Sequence, residues 1–339
     1  MIYLVSILFI IVAGLLIYVV LFGPKLPPQT DPIIDRVLES ELPEVVVGQT
    51  GFATSGGLSI WYESIPPQGL SRGTVLLIMS NGGNALDWHP KFVRALVDAG
   101  YQVIRYDHRG TGLSDWVEDW NRKNPYSLGD MASDAVAVLD ALKVHKAHVV
   151  GFSLGGMVSQ LVAVNCPERV LSLTLLSTSG YVGDPELPGL TSRYFLSSIV
   201  KGLPLLKYRI AGGEKNLIKE RIAKTIAVVG YDGLDIKETA EVVLYDLRKR
   251  RGVNVRAIFQ HQAAVNVSGS RYEELKTVNV PTLVIHGTAD QLIPVEHGKK
   301  LAEVMPTAQG LWLDGVGHVF PYPNMTGVNE RIVAHLASI

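Results

Sequence analysis

A single cysteine, Cys166, leaves the 339-residue chain without a partner for an internal disulfide, and no Cys/His cluster has the spacing of a zinc site. An excess of charge is missing too. With 31 Lys and Arg against 32 Asp and Glu, no long-range field draws the chain to nucleic acid, which is excluded as an expected partner. No internal repeat or low-complexity tract interrupts the sequence. What is present in quantity is apolar surface. A hydrophobic content of 47% supplies a sizeable core for one large domain or two small ones, so stability has to come from packing.

Charge is also absent from the whole run Ile2 to Phe22, which at about 1.5 Å per residue is long enough to cross about 30 Å of hydrocarbon. The run predicts a transmembrane helix, residues 1–23, and hence a membrane protein with a single-pass N-terminal anchor. The flanking charges do not fix which side the remainder occupies. A cleaved signal peptide is the competing reading; it wants a basic leader and a small-x-small cleavage site, whereas Met1 precedes the core and GPKLPP follows it. Pro24, Pro27, Pro28 and Pro32 predict an extended linker over 24–43. A folded domain is expected over 44–339.

Within that domain, short Val/Ile/Leu runs alternate with amphipathic segments. VVVGQTGFAT and LSIWYESI read as an antiparallel pair; TVLLIMS, YQVIRYD, AHVVGFS, VLSLTLLST, PTLVIHG and GLWLDG read as strands separated by helices. This alternation implies an α/β fold, a mostly parallel sheet with helices on both faces. The rhythm breaks over about 184–272, where NLIKERIAKTIAVV and IKETAEVVLYDLRKR are helical. An insertion there predicts a helical cap over the carboxyl ends of the strands, where ligands of open α/β sheets bind.

Between AHVVGFS and LGGMVSQLVAVNC, the pentapeptide Gly151-Phe152-Ser153-Leu154-Gly155 matches G-x-S-x-G, set between strand and helix as a nucleophile elbow requires. A hydroxyl is a poor nucleophile by itself, so a histidine base and an orienting acid should follow in the order Ser, Asp/Glu, His. Asp290 lies just beyond the strand PTLVIHG, and His318 follows the last strand in a glycine-rich loop. Asp314 is the competing acid and abuts a glycine turn on the histidine's own loop; the other eight histidines lack that position. Two N–H donors must face the developing oxyanion. Leu154, the residue after the serine, supplies one, and the turn SNGGNALDW after TVLLIMS supplies the other, with Asn81 first choice and Gly82 second. Asp107 and Arg109, in RYDHRGTGLSD, read as fixing a loop, Cys166 as a small buried residue in a helix, and RKRR (248–251) as a solvated helix end, with anionic headgroups as its other reading.

These residues together resemble the α/β-hydrolase family. GGNALDWHPKFVRALVDAGYQVIRYDHRGTGLSD and NPYSLGDMASDAVAVLDALKVHKAHVVGFSLGG are particularly similar to its aclacinomycin methylesterase branch, over Thr74 to Ser179 and again over Pro281 to Pro321. The resemblance implies an eight-stranded sheet, no metal or organic cofactor, and hydrolysis through an acyl-enzyme. It also implies Ser153 as nucleophile, Asp290 as acid, His318 as base, and Asn81 with Leu154 as oxyanion donors. Met79-Ser80 stands where the family commonly has His-Gly. The expected function is a membrane-anchored serine hydrolase of carboxylic esters, small-molecule or lipid. The alternatives are a thioesterase, an acyltransferase or a carbon–carbon bond hydrolase on the same triad, or a non-catalytic lipid- or hormone-binding module.

Overall fold

The computed structural model describes residues 13–231 and 234–339, with backbone only for 322–324. Contacts divide the chain into two compact units: residues up to Val45 with Thr191–Lys249, and Val46–Leu190 with Arg250–Ile339.

The larger unit is built on eight strands, β1 Gln49–Ser55, β2 Leu58–Ile65, β3 Thr74–Ile78, β4 Gln102–Tyr106, β5 Ala147–Phe152, β6 Val170–Leu176, β7 Thr282–Gly287 and β8 Ala308–Leu313. They lie in the order β1-β2-β4-β3-β5-β6-β7-β8. The β1–β2 and β2–β4 pairs are antiparallel and the others parallel, so the sheet is mostly parallel, as the alternating pattern predicts. Side chains of a strand alternate between faces, and β3 shows the consequence. Leu76 and Ile78 enter one core while Val75 and Leu77 enter the other.

Of the helices that close these cores, α1 (Thr30–Glu39) belongs to the smaller unit. In the larger unit, α2 (Pro90–Asp98) contributes Phe92 and Leu96 to the second core, and α3 (Leu128–Ala141) and α4 (Leu154–Asn165) contribute Met131, Val138, Met157 and Val158 to the first. The sites of interest all lie in loops that leave the carboxyl ends of β3, β4, β5, β7 and β8.

Five histidines are buried in this unit; burial pushes two of them, His108 and His148, down to about 4 and a third, His261, down to about 3. Unfolded, each would titrate near 6.5, so below that pH the unfolded chain binds more protons and folding loses stability. The stability these rings contribute should therefore be whole above about pH 6.5 and fall as the pH drops toward about 4, by on the order of 3 kcal/mol for His108 and by less for His148, which solvent partly screens. Denaturant midpoints measured from pH 7.5 to 4.5 check this; a midpoint flat to pH 5 contradicts it.

The smaller unit continues the helix count with α5 (Ser192–Gly202), α6 (Leu206–Ala211), α7 (Gly213–Val229) and α8 (Ile236–Lys249). Helix α1 lies where an extended linker was expected. Pro32 stands in its first turn, where a missing N–H costs nothing, and Ile34 and Val37 are buried with Ile218, Ile222, Ala240 and Leu244. Residues 250–272, expected in the insertion, belong to the larger unit instead. They contain α9 (Val255–Ser268), and α10 (Tyr272–Leu275), α11 (Val295–Val304) and α12 (Tyr322–Ala337) complete the unit.

The expected membrane anchor is corrected. Among the described residues no helix is long and apolar enough to cross a membrane, and the single-pass localisation goes with it. Of the uncharged run only 13–21 are helical there, about 13 Å at 1.5 Å per residue, and the first twelve residues lie outside the described ones. The helix stops before Gly23, whose φ of 111° turns the chain. Its last turn packs within the smaller unit: Tyr18 stacks on Phe22 at 5.0 Å and donates to the Val200 carbonyl at 3.2 Å.

Candidate active site

Ser153 sits between β5 and α4 with φ 55° and ψ −117°, a conformation that L residues avoid. The surrounding bonds over-determine it. Its N–H donates to the Leu176 carbonyl at 2.8 Å, and its own carbonyl accepts from Thr178 Oγ1 at 2.6 Å. Gly155 permits the tight packing of α4 beneath: a Cβ built there would overlap the Ile78 carbonyl at the end of β3. Gly155→Ala should thus destabilise by about 3 kcal/mol, read as a lower denaturant midpoint, because a backbone carbonyl cannot step aside as a flexible side chain could.

His318 faces the serine. Its Nε2 is 3.0 Å from Ser153 Oγ and its Nδ1 is 2.7 Å from Asp290 Oδ2. A carboxylate only accepts, so Nδ1 carries the proton and Nε2 offers its lone pair to the hydroxyl. Phe152 packs against this ring at 5.4 Å and against Phe320 at 6.4 Å, centroid to centroid.

Asp290 is 5% exposed and saturated with donors. Oδ1 accepts from the N–H groups of Leu292 and Ile293 at 2.8 and 2.9 Å, and Oδ2 accepts from His318 and, at 3.2 Å, from His286 Nε2. Burial opposes ionisation, yet the bonds from His286, His318 and Ile293 prevail and hold the carboxyl well below its usual range. Asp314, the competing acid of the sequence, instead accepts from Thr288 Oγ1 at 3.1 Å in an exposed turn.

The loop after β3 commits most of its donors. Gly82 N–H goes to His261 Nδ1 at 3.0 Å, Gly83 N–H to the Ser80 carbonyl at 3.0 Å, Asn84 N–H to Asp87 Oδ2 at 2.9 Å and Ala85 N–H to Asp107 Oδ1 at 2.9 Å. Among the described residues, the N–H groups of Asn81 and of Leu154, the first residue of α4, have no protein acceptor, nor has that of Ser80. The α4 macrodipole adds positive potential at Leu154.

The polar motifs beside the site are structural. Asp107 also accepts from Leu113 N–H at 2.8 Å and from Arg250, whose guanidinium lies over the Trp61 ring at 4.5 Å. Arg109 grips Asp134 through two bonds of 2.7 Å. The RKRR run is thus not a uniformly solvated end: Arg250 is buried, Arg251 stacks on Trp116 at 3.9 Å, and Arg248 forms a fork with Glu214. Cys166, expected to be buried in a helix, is half-buried at the C-cap of α4; what burial it has raises its thiol, which disfavours the reactive thiolate. Among the described residues no group of three or more His, Cys, Asp or Glu side chains is arranged to hold a metal ion.

The model of the alpha/beta hydrolase fold family matches residues 73–324, which span the whole constellation. The chain belongs to the α/β-hydrolase family. It is 31% identical over 307 residues to rhodomycin D methylesterase DauP of Streptomyces sp. (strain C5), covering 84% of this chain and 97% of that one. The resemblance to the methylesterase branch is borne out by this similarity. Among solved structures, the esterase RhEst1 from Rhodococcus sp. ECU1013 aligns with a TM-score of 0.64 at 22% identity, over 85% of this chain and 98% of its own. The meta-cleavage product hydrolase CumD from Pseudomonas fluorescens IP01 aligns with a TM-score of 0.58 at 21% identity, over 87% and 99%. At those identities the two structures speak for the fold alone.

His286, His261, His108 and Thr178 bond to Asp290, Ser153 or the loop after β3 without having been singled out in the sequence. Only His286, four residues before Asp290 on β7, carried any signal; the others come from elements whose approach no local pattern announces.

Proposed function

We propose that this α/β-hydrolase cleaves carboxylic esters of small molecules through an acyl-enzyme, with Ser153 as nucleophile, His318 as general base and acid, and Asp290 as the group that orients it. The observation that carries the reading is the unbroken hydrogen-bonded run from Ser153 Oγ through His318 to Asp290. As Oγ attacks the ester carbonyl carbon, its proton passes to His318 Nε2, and Asp290 stabilises the imidazolium. The carbonyl oxygen becomes the oxyanion and is held by the N–H groups of Leu154 and Asn81. Collapse expels the alcohol, which takes the proton from Nε2; water then attacks the acyl-enzyme by the same sequence in reverse, releasing the acid and free Ser153.

The similarity to a methylesterase supports an ester with a small leaving alcohol. The case for a lipid ester rested largely on the anchor and weakens with it, so long-chain esters enter only as one arm of the assay.

The test is direct. Purified protein is treated with a fluorophosphonate probe, the adduct is mapped by peptide mass spectrometry, and turnover is measured on methyl, short-chain, long-chain, thioester and carbon–carbon diketone substrates. The expected result is one adduct, on Ser153, with ester turnover leading the panel. An unlabelled serine would leave a binding module; labelling with a thioester or diketone ahead would move the chemistry to another reaction on the same residues.

A further inference from the structure

We propose that His261 is a positioning residue for this reaction: its Nδ1 takes the Gly82 N–H and so orients the loop after β3 with Asn81 as its oxyanion donor. The proposal rests on the esterase reading and goes beyond it by assigning a role to a residue from α9.

The loop is a two-sided choice. Both Asn81 and Gly82 stand in the turn that must supply a donor, and successive N–H groups in one turn differ in direction, so a small rotation exchanges them. The structure commits Gly82. Its N–H points at His261 Nδ1 at 3.0 Å, and its φ of 68° is one that only glycine holds without strain. A Cβ at Gly82 would also run into Ile258 Cγ1. Ile258 and His261 are three apart on α9 and therefore share a face, so one helix supplies both the wall that requires glycine and the acceptor that claims its N–H.

The chemistry of the ring is fixed from both ends. His261 Nε2 lies 2.9 Å from the Arg109 carbonyl, an acceptor, so Nε2 carries the proton and Nδ1 must be the lone pair that meets Gly82. The ring is fully enclosed, edge-on to His108 at 5.4 Å and to Tyr126 at 6.3 Å. His108 holds the other end of the same turn by donating from Nε2 to the Met79 carbonyl at 2.7 Å. The loop is thus pinned from outside by two imidazoles. Burial and the neighbouring His108 keep His261 near 3, so the ring stays a neutral acceptor wherever the enzyme works.

The experiment separates an acceptor at Nδ1 from mere bulk. Asn at 261 puts its amide oxygen where Nδ1 stood, whereas Gln puts its amide where Nε2 stood and leaves Gly82 unpaired. On the best ester found for the wild-type chain, His261→Gln should lower kcat about 100-fold with KM within about threefold, the signature of a donor lost in the transition state. Fluorophosphonate should still label Ser153 to completion, more slowly, and His261→Asn should recover at least about tenfold of the loss. Equal kcat for wild type and both variants, or His261→Asn no better than His261→Gln, overturns the proposal. If neither variant folds, ¹⁵N-histidine NMR of the wild-type chain decides: the neutral Nε2–H tautomer with a protected Gly82 amide supports it, and the Nδ1–H tautomer overturns it. A wild-type chain that neither labels nor turns over ester would remove the esterase reading instead, whatever the tautomer.

Discussion

Ser153→Ala should abolish the fluorophosphonate adduct and lower ester kcat by about a millionfold, because Ser153 Oγ is the hydroxyl that meets the His318 base. The residue left behind keeps the N–H groups of Leu154 and Asn81, so a remnant of about a thousandfold over the reaction in water should persist. The fold should survive the change. Alanine at φ 55° is as strained as serine, and the hydroxyl gives up a single bond, to His318, so the denaturant midpoint should move little. Ser153→Gly supplies the complementary measurement: glycine accepts that conformation freely, so this inactive variant should be more stable than Ser153→Ala by about 1 kcal/mol. Retained labelling in either variant would remove Ser153 from the mechanism.

Asp290→Asn should cost about ten thousandfold in kcat with little change in KM, and the reason lies in how many donors the carboxylate serves. Two backbone N–H groups point at Oδ1, and the rings of His286 and His318 point at Oδ2. An asparagine has one oxygen, and the backbone donors cannot change, so that oxygen must stay with Leu292 and Ile293. The amide NH₂ then faces both imidazoles. His318 is driven to the tautomer with its proton on Nε2, which can no longer accept from Ser153. His286 fares no better, since its Nε2 also lies 2.8 Å from the Ile293 carbonyl and cannot meet an acceptor and a donor with the same atom. Kinetics with a short-chain ester, together with ¹⁵N shifts of the two rings, check the tautomer and the rate at once; a loss below tenfold would show that the carboxylate does not set the tautomer.

Local pattern carried much of this protein. Runs such as TVLLI and TLVIHG, buried on both faces, are apolar at every position or nearly so because a parallel sheet covered by helices has no wet side. Gly151-Phe152-Ser153-Leu154-Gly155 was legible because a strand that turns sharply into a helix leaves no room for Cβ atoms, a constraint written into adjacent residues. Asp290 and His318 were legible because each follows a strand, and strands of a parallel sheet end on one edge.

Where the partners were distant, pattern failed. An uncharged N-terminal run has the length to span, but the length of the helix it forms is not written in its composition: among the described residues only 13–21 are helical, too short to cross a membrane. Helix α1 was hidden by its prolines, since its stability comes from Ile34 and Val37 meeting side chains about 180 residues onward. The sequence alone determined the sheet, the elbow and which residue types could meet there, because these follow from neighbours along the chain. Only the tertiary structure decided between Asp290 and Asp314 and gave Gly82 to His261, because hydrogen bonds are directional, and direction is set by backbone that lies far away in the sequence.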